Sequence, residues 1–329
     1  MMEPTCSRQG VEGGIVPHGI DLKSEIRRLC GEKNAVVMAH YYTDGAVQDV
    51  ADFIGDSLAL AQKAATTDAD IIVMCGVHFM GETAKILCPQ KTVLVPDLQA
   101  SCSLAESCKA DEFAAFIKAN PGHTVISYVN TTAAVKALTD VVVTSSNARQ
   151  IVESFPKDAP LIFGPDKNLG SYINAITGRN MLLWNGSCHV HERFSADSIV
   201  ALKQQHPTAK VLVHPECQSE VVRLADKVGS TAALLKYCLA DDAQVFIVVT
   251  ESGILHEMQK AAPHKTFIPA PPTDGSCACN ECNYMKLITL QKVYDCLRLG
   301  RPVVEVDAEV AKKAVRPINR MLEISASHY

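Results

Sequence analysis

Short apolar runs that end in polar residues recur along the chain. VVMAHYY from Val36, VISYVN from Val125 and VLVHPE from Val211 each read as a strand closed by side chains able to do chemistry. After each comes a helix-like stretch (QDVADFIG, AAVKALTD, SEVVRLADKV), then a hydroxyl pair or near-pair: Asp56-Ser57, Ser145-Ser146, Ser230-Thr231. His40 to Ser57, Tyr128 to Ser145 and His214 to Thr231 are all separated by 17 residues. A second helix follows (SLALAQKAA, NARQIVESF, TAALLKYCLA), then a strand (ADIIVMCG, PLIFGP, QVFIVVTE), a third helix (MGETAKIL, LGSYINAIT, GILHEMQKAA) and a last strand (TVLVP, NMLLW, TFIPA).

Continuous β-branched runs alternating with helices describe parallel sheets covered on both faces. The expected fold is therefore α/β: three pseudo-symmetric three-layer α/β/α domains with parallel sheets around a common centre. The units are placed at residues 33–116, 120–206 and 208–272. An N-terminal arm (1–32) and a cysteine loop with a C-terminal helical segment (273–329) lie outside them.

Of 329 residues, 47% are hydrophobic and 20% charged, and 31 basic side chains face 36 acidic ones. That balance excludes disorder and collagen, and no stretch gathers enough Lys or Arg for a nucleic-acid binder. No apolar run reaches signal-peptide or membrane-span length, so a cytoplasmic protein without membrane contact is expected. Thirteen cysteines, an odd number in a reducing compartment, point to metal or catalysis rather than disulfides. Cys75 and Cys238 sit in apolar patterns and read as core. Cys6, Cys30, Cys88, Cys108, Cys217 and Cys296 have no motif around them.

Ligands of open parallel sheets bind beyond the carboxyl ends of the strands. There the chain places three i,i+2 pairs, His40/Tyr42, Tyr128/Asn130 and His214/Glu216, each on one strand face. Each unit has four strands, and Ser57, Ser145 and Thr231 follow the second strand and precede a helix, where a hydroxyl either caps the helix or helps its free N–H groups hold an anion. Beyond the last strand of each unit comes cysteine: Cys102, Cys188 and the group Cys277, Cys279, Cys282. Cys102 and Cys188 are 86 residues apart, close to the 88 and 86 between first-strand ends. CxCxxC alone suits zinc or iron equally. One thiolate from each of three units suits a [4Fe–4S] cluster whose fourth iron is open as a Lewis acid.

AHYYTD, GDS, GETAKIL, SYVNTTAAVKA, VVTSSNA, GPDKNLG, CHVHERF, VLVHPE and VGST, in this order, closely resemble the quinolinate synthase family, from about Val36 to Met321. The resemblance implies condensation of iminosuccinate with dihydroxyacetone phosphate to quinolinate, with loss of phosphate and two waters, for NAD synthesis. It also implies three α/β domains around a [4Fe–4S] cluster held by Cys102, Cys188 and Cys282. Implied substrate contacts are His40, Ser57, Tyr128, Val129, Asn130, Ser145, His214, Pro215, Glu216 and Thr231. Glu216, Tyr42, Tyr128 and His191 are the implied catalytic residues, since buried carboxylate and imidazole can be tuned for proton transfer. His18, His206 and His328 read as solvated. An L-aspartate oxidase or aspartate dehydrogenase would supply the imine.

The last cysteine motif departs from CxxCxxC forms in the family, and Asn283 stands where Pro is frequent. Strand-end spacing favours Cys277 (63 residues from His214, against 62 and 60 in the other units), whereas Cys282, at 68, opens a helical pattern as Cys102 does. The family motif points to Cys282. Two other readings stand beside this one: a three-domain [4Fe–4S] radical enzyme of the diphthamide-synthesis type, and a metal-sensing protein without catalysis.

Overall fold

The computed structural model describes residues 21–272 and 280–326. Three four-stranded parallel sheets carry the chain. The first contains β1 (Ala35–His40), β2 (Phe53–Gly55), β3 (Ile71–Cys75) and β4 (Thr92–Leu94), in the order β2-β1-β3-β4. The second contains β5 (Thr124–Tyr128), β6 (Val141–Val143), β7 (Leu161–Gly164) and β8 (Leu182–Leu183), ordered β6-β5-β7-β8. The third contains β9 (Lys210–Val213), β10 (Lys227–Val228), β11 (Val245–Val249) and β12 (Thr266–Pro269), ordered β10-β9-β11-β12. Strand order is thus the same three times, as the repeated pattern demands. The central strands are buried on both faces (Val37, Met38 and Ala39; Val125 and Ile126; Val211, Leu212 and Val213), which is why they read as unbroken apolar runs.

One expectation changes. The stretches read as a first helix in each unit are not helical throughout: a single turn (Gly45–Gln48, Ala133–Lys136, Ser219–Val222) is followed by a short second strand. An aspartate holds each of these connections. The amides of Val37, Val125 and Val211 each donate at 2.8 Å to the carboxylate of the residue 15 later: Asp52, Asp140 and Asp226. The aspartate amides donate back to the carbonyls of the same three valines. This reciprocal clasp claims the chain for parallel pairing before a helix can propagate.

The segment set apart as an arm carries the helix Leu22–Lys33, whose Ile26 and Leu29 enter the core against β1. Two C-terminal helices, Leu290–Leu299 and Ala308–Ala326, cover the first and second units; the longer one packs on β6 and ties down through Asn147 Nδ2 to Ser325 Oγ at 2.9 Å. No helix among the described residues is long and apolar enough to cross a membrane. Three sheets arranged in this way turn their strand ends toward one place.

Candidate active site

A chamber lies where the three sets of strand ends meet. The first unit contributes His40, Tyr42 and Ser57; the second, Tyr128, Asn130 and Ser145; the third, His214, Glu216 and Thr231. His191 and all three proposed cysteine ligands also line it. Val129 and Pro215, in the expected substrate set, do not line it. They alternate with the chamber-facing residues, and the Val129 amide already donates to the Val143 carbonyl at 2.8 Å. Cys277 and Cys279 lie outside the described residues, as do Cys6, His18 and His328.

Glu216 is the hub. The Tyr128 hydroxyl donates to its Oε1 at 2.5 Å, His191 Nδ1 stands 3.1 Å from Oε2, and His214 Nδ1 stands 3.8 Å from Oε1. The His191 contact has the separation of an ion pair without the alignment of a full hydrogen bond. On its far side His191 Nε2 meets Thr250 Oγ1 at 2.9 Å, and the Tyr42 hydroxyl bonds both Thr250 (2.7 Å) and Thr231 (2.8 Å). Hydrogen bonds thus link Tyr42 of the first unit, His191 of the second and Thr231 and Thr250 of the third, and the close His191–Glu216 contact extends the line to Tyr128. Asn130 Oδ1 is buried with no partner, a cost of about 1–3 kcal/mol that a donor on a bound molecule would relieve.

Burial sets the protonation states. It pushes the pKa of His40 and of His214 down to about 3, so both rings are neutral at pH 7. It drives the Tyr42 and Tyr128 phenols well above their ordinary value. Burial would also raise Glu216, but His191, His214 and the Tyr128 hydroxyl outweigh it and hold the carboxylate at about 2. Glu216 thus stands as a firm anion beside the neutral rings of His40 and His214 and the protonated phenols of Tyr42 and Tyr128. No Lys or Arg among the described residues lines it, so anionic groups must be held by hydroxyls, imidazoles and helix amides.

The hydroxyls divide their work. The caps of helices Ser57–Thr66 and Thr231–Ala240 are the preceding residues, Asp56 (accepting from Ala59 N at 3.0 Å) and Ser230 (from Ala233 N at 3.3 Å). Ser57 and Thr231 are first helical residues and face the chamber, so capping does not account for them. Ser145 meets His214 Nε2 at 3.3 Å. Its neighbour Ser146 bonds both Asp56 (2.6 Å) and Ser230 (2.8 Å), joining the three units at one point.

Each cysteine opens a turn in the same way. The carbonyls of Cys102, Cys188 and Cys282 accept the amides of Glu106, Glu192 and Lys286, four residues on in every case. Amides within those turns favour the thiolates: Leu104 and Ala105 at Cys102, His191 at Cys188, Tyr284 and Met285 at Cys282. Burial is the larger effect and pushes Cys102 to about 12 and Cys282 to about 11, so three thiolates here require a cationic partner. The residues after each cysteine interlock. Ser103 Oγ meets His189 Nδ1 at 2.7 Å, His189 packs edge-on against Tyr284, and the Tyr284 hydroxyl donates to Glu106 at 3.2 Å.

Among the described residues, Cys188, His191 and Glu216 are the triple whose ligand atoms all lie within 4.8 Å of one another. The three cysteines form no such triple. They are spread more widely than one tetrahedral ion bound at about 2.3 Å per sulfur would hold them, which fits a larger metal–sulfur group.

Glu251 escaped the sequence reading. It follows the strand in QVFIVVTE, is fully buried and lines the chamber. Burial raises it to about 7 against the pull of Lys286 and two amides. Its position two residues beyond β11 matches that of Asp166 beyond β7, a spacing that could have exposed both.

A family described as quinolinate synthetase A protein matches residues 24–323. Among curated relatives, a quinolinate synthase of Thermosynechococcus vestitus is 57% identical over 309 residues, 94% of this chain and 97% of that protein. One from Synechococcus sp. is 56% identical over 306 residues, covering 93% and 96% of the two chains. Another from Nostoc sp. is 54% identical over 320 residues, covering 97% and 98%. These matches favour the first of the three readings drawn from the sequence.

Proposed function

We propose, for a chain that belongs to the quinolinate synthetase A family and is an enzyme of the quinolinate synthase type, that it condenses iminosuccinate with dihydroxyacetone phosphate to quinolinate, releasing phosphate and two waters, in NAD biosynthesis. One observation carries the reading: a single chamber walled by a thiol, a hydroxyl and a strand-end polar pair from each of three repeated units. Cys102, Cys188 and Cys282 would hold a [4Fe–4S] cluster, which when bound supplies an open Lewis-acidic iron for an oxygen of the substrate.

The chain's own groups do the rest. Ser57 and Thr231, at the starts of ten-residue helices, hold carboxylate or phosphate oxygens together with helix N–H groups, each helix end contributing about 0.3–1 kcal/mol. Asn130 Oδ1 accepts from the substrate's N–H or O–H. Cyclisation with loss of two waters needs protons removed from carbon and delivered to leaving oxygens. Glu216, ionised and joined to the Tyr128 hydroxyl and His191, is placed to take a proton and pass it along that network. The Tyr42 hydroxyl, held by Thr231 and Thr250, stays protonated and can donate. The imine would come from an aspartate-oxidising enzyme.

The test is direct. Protein purified without oxygen is given dihydroxyacetone phosphate and iminosuccinate made in place by an aspartate oxidase, and quinolinate is measured by chromatography. Quinolinate with equimolar phosphate is the expected outcome; iron-loaded protein that forms none would end the reading.

A further inference from the structure

Glu251 is a buried carboxyl to which the chemistry above gives no role. It is 0% exposed, and its two oxygens have separate duties. Oε1 accepts the Cys282 amide at 3.1 Å and faces Lys286 Nζ at 3.2 Å; Oε2 accepts the Gly253 amide at 2.7 Å. Gly253 is needed for this approach, since a Cβ there would stand 2.8 Å from Oε2 and 2.7 Å from the Tyr41 carbonyl. Lys286 donates to the Tyr42 carbonyl at 3.1 Å and lies 3.6 Å from Asp44, so the brace reaches from the third unit into the first.

A buried ion pair is a poor way to gain stability, because desolvation offsets most of the attraction. What this pair does provide is a fixed backbone at Cys282. The Cys282 carbonyl is held by the Lys286 amide and its N–H by Glu251, so both backbone polar groups of the residue that carries this thiol are anchored. The second unit has a counterpart in Asp166, likewise 0% exposed and two residues past its strand. In the first unit the same place is the apolar Val77.

We propose that Glu251, braced by Lys286, is a positioning residue that fixes Cys282 so that its sulfur enters the chamber in register with Cys102 and Cys188. The proposal rests on the metal–sulfur reading above. Hydrogen bonds behind a metal ligand typically change metal affinity by about 10–100-fold when removed.

Wild type, Glu251→Gln and Glu251→Ala are reconstituted with ferrous iron and sulfide without oxygen. Iron per chain and the rate of iron loss to a ferrous chelator are then measured, with the melting temperature of each metal-free protein alongside. Glu251→Ala should lose iron about 10–100-fold faster, and Glu251→Gln, whose amide oxygen can still accept from Cys282, should fall between. A purely structural role would lower the melting temperature and leave the loss rate at the wild-type value, which overturns the inference. Should the alanine variant not fold, the glutamine variant decides by the same comparison. Wild type that takes up no iron removes the metal–sulfur reading and this inference together; iron-replete wild type beside variants with unchanged loss rates removes the inference alone.

Discussion

Replacing Glu216 with Gln keeps the shape of the hub and removes its charge. Gln presents one acceptor oxygen where the carboxylate now meets Tyr128 at 2.5 Å, His191 at 3.1 Å and His214 at 3.8 Å, so at least one of these contacts loses its acceptor. Two magnitudes follow. Loss of a proton acceptor costs about 10²–10⁴-fold in rate, or about 3–5 kcal/mol of barrier. For stability, the carboxyl is held at about 2 in the fold against an ordinary 4.5, and 4.5 − 2 = 2.5 pH units at about 1.4 kcal/mol each gives an upper figure of about 3–4 kcal/mol. The sign is that of a depressed carboxylate: this stability is present above pH 4.5 and is lost as pH falls toward 2. The assay is quinolinate formation at saturating substrate under anaerobic conditions, with iron content and melting temperature on the same preparations. Expected is iron at the wild-type level, a lowered melting temperature and turnover down by about two to four orders of magnitude. Turnover within a few-fold of wild type would remove Glu216 from the proton path.

Ser57→Ala and Thr231→Ala should raise KM with little loss of stability, whereas Asp56→Ala and Ser230→Ala should lower stability by about 0.5–2 kcal/mol each through lost caps; the reverse assignment by thermal melts and kinetics would refute the division of labour. Buried neutral His40 and His214, held at about 3, make the fold acid-sensitive early. The unfolded chain takes up their protons first, so stability is full above pH 6.5 and declines toward pH 3, by up to about 1.4 kcal/mol per pH unit for each ring. A melting temperature that stays flat from pH 7 to pH 5 would contradict this. Asp140→Ala breaks one reciprocal clasp and should cost about 0.5–1.5 kcal/mol in denaturant titrations while leaving KM unchanged; an altered KM would show that the clasp reaches the chamber.

The repeat was legible because the first and third strands of each unit are continuous β-branched runs, and a constant interval of 17 residues marks where strand ends meet helix starts. Four strands per unit were expected, but where the second strand lies was not legible. β2 and β10 have three and two residues, too few for any period, and the real signal was an aspartate 15 residues after the first valine clasp in all three units. The hydroxyl positions were legible but not their roles, since a cap and a ligand contact one residue apart look alike until the helix start is fixed. For the third cysteine, register favours Cys277, which lies outside the described residues, while the i+4 turn at Cys282 repeats the one at Cys102 and Cys188. The place of Glu251 two residues past its strand was legible, but its partners were not, because Cys282 and Lys286 lie more than thirty residues on and only the closure of the three units brings them together.

Metal analysis of anaerobically purified wild type beside Cys102→Ala, Cys188→Ala, Cys282→Ala and Glu216→Gln tests the central claim, that one thiol from each unit holds a shared cluster. About four iron and four sulfide per chain are expected in wild type and in Glu216→Gln, with both lost in each of the three cysteine variants. About one zinc per chain, kept in Cys102→Ala and Cys282→Ala but lost in Cys188→Ala and Glu216→Gln, would contradict the account and place the metal instead at Cys188, His191 and Glu216.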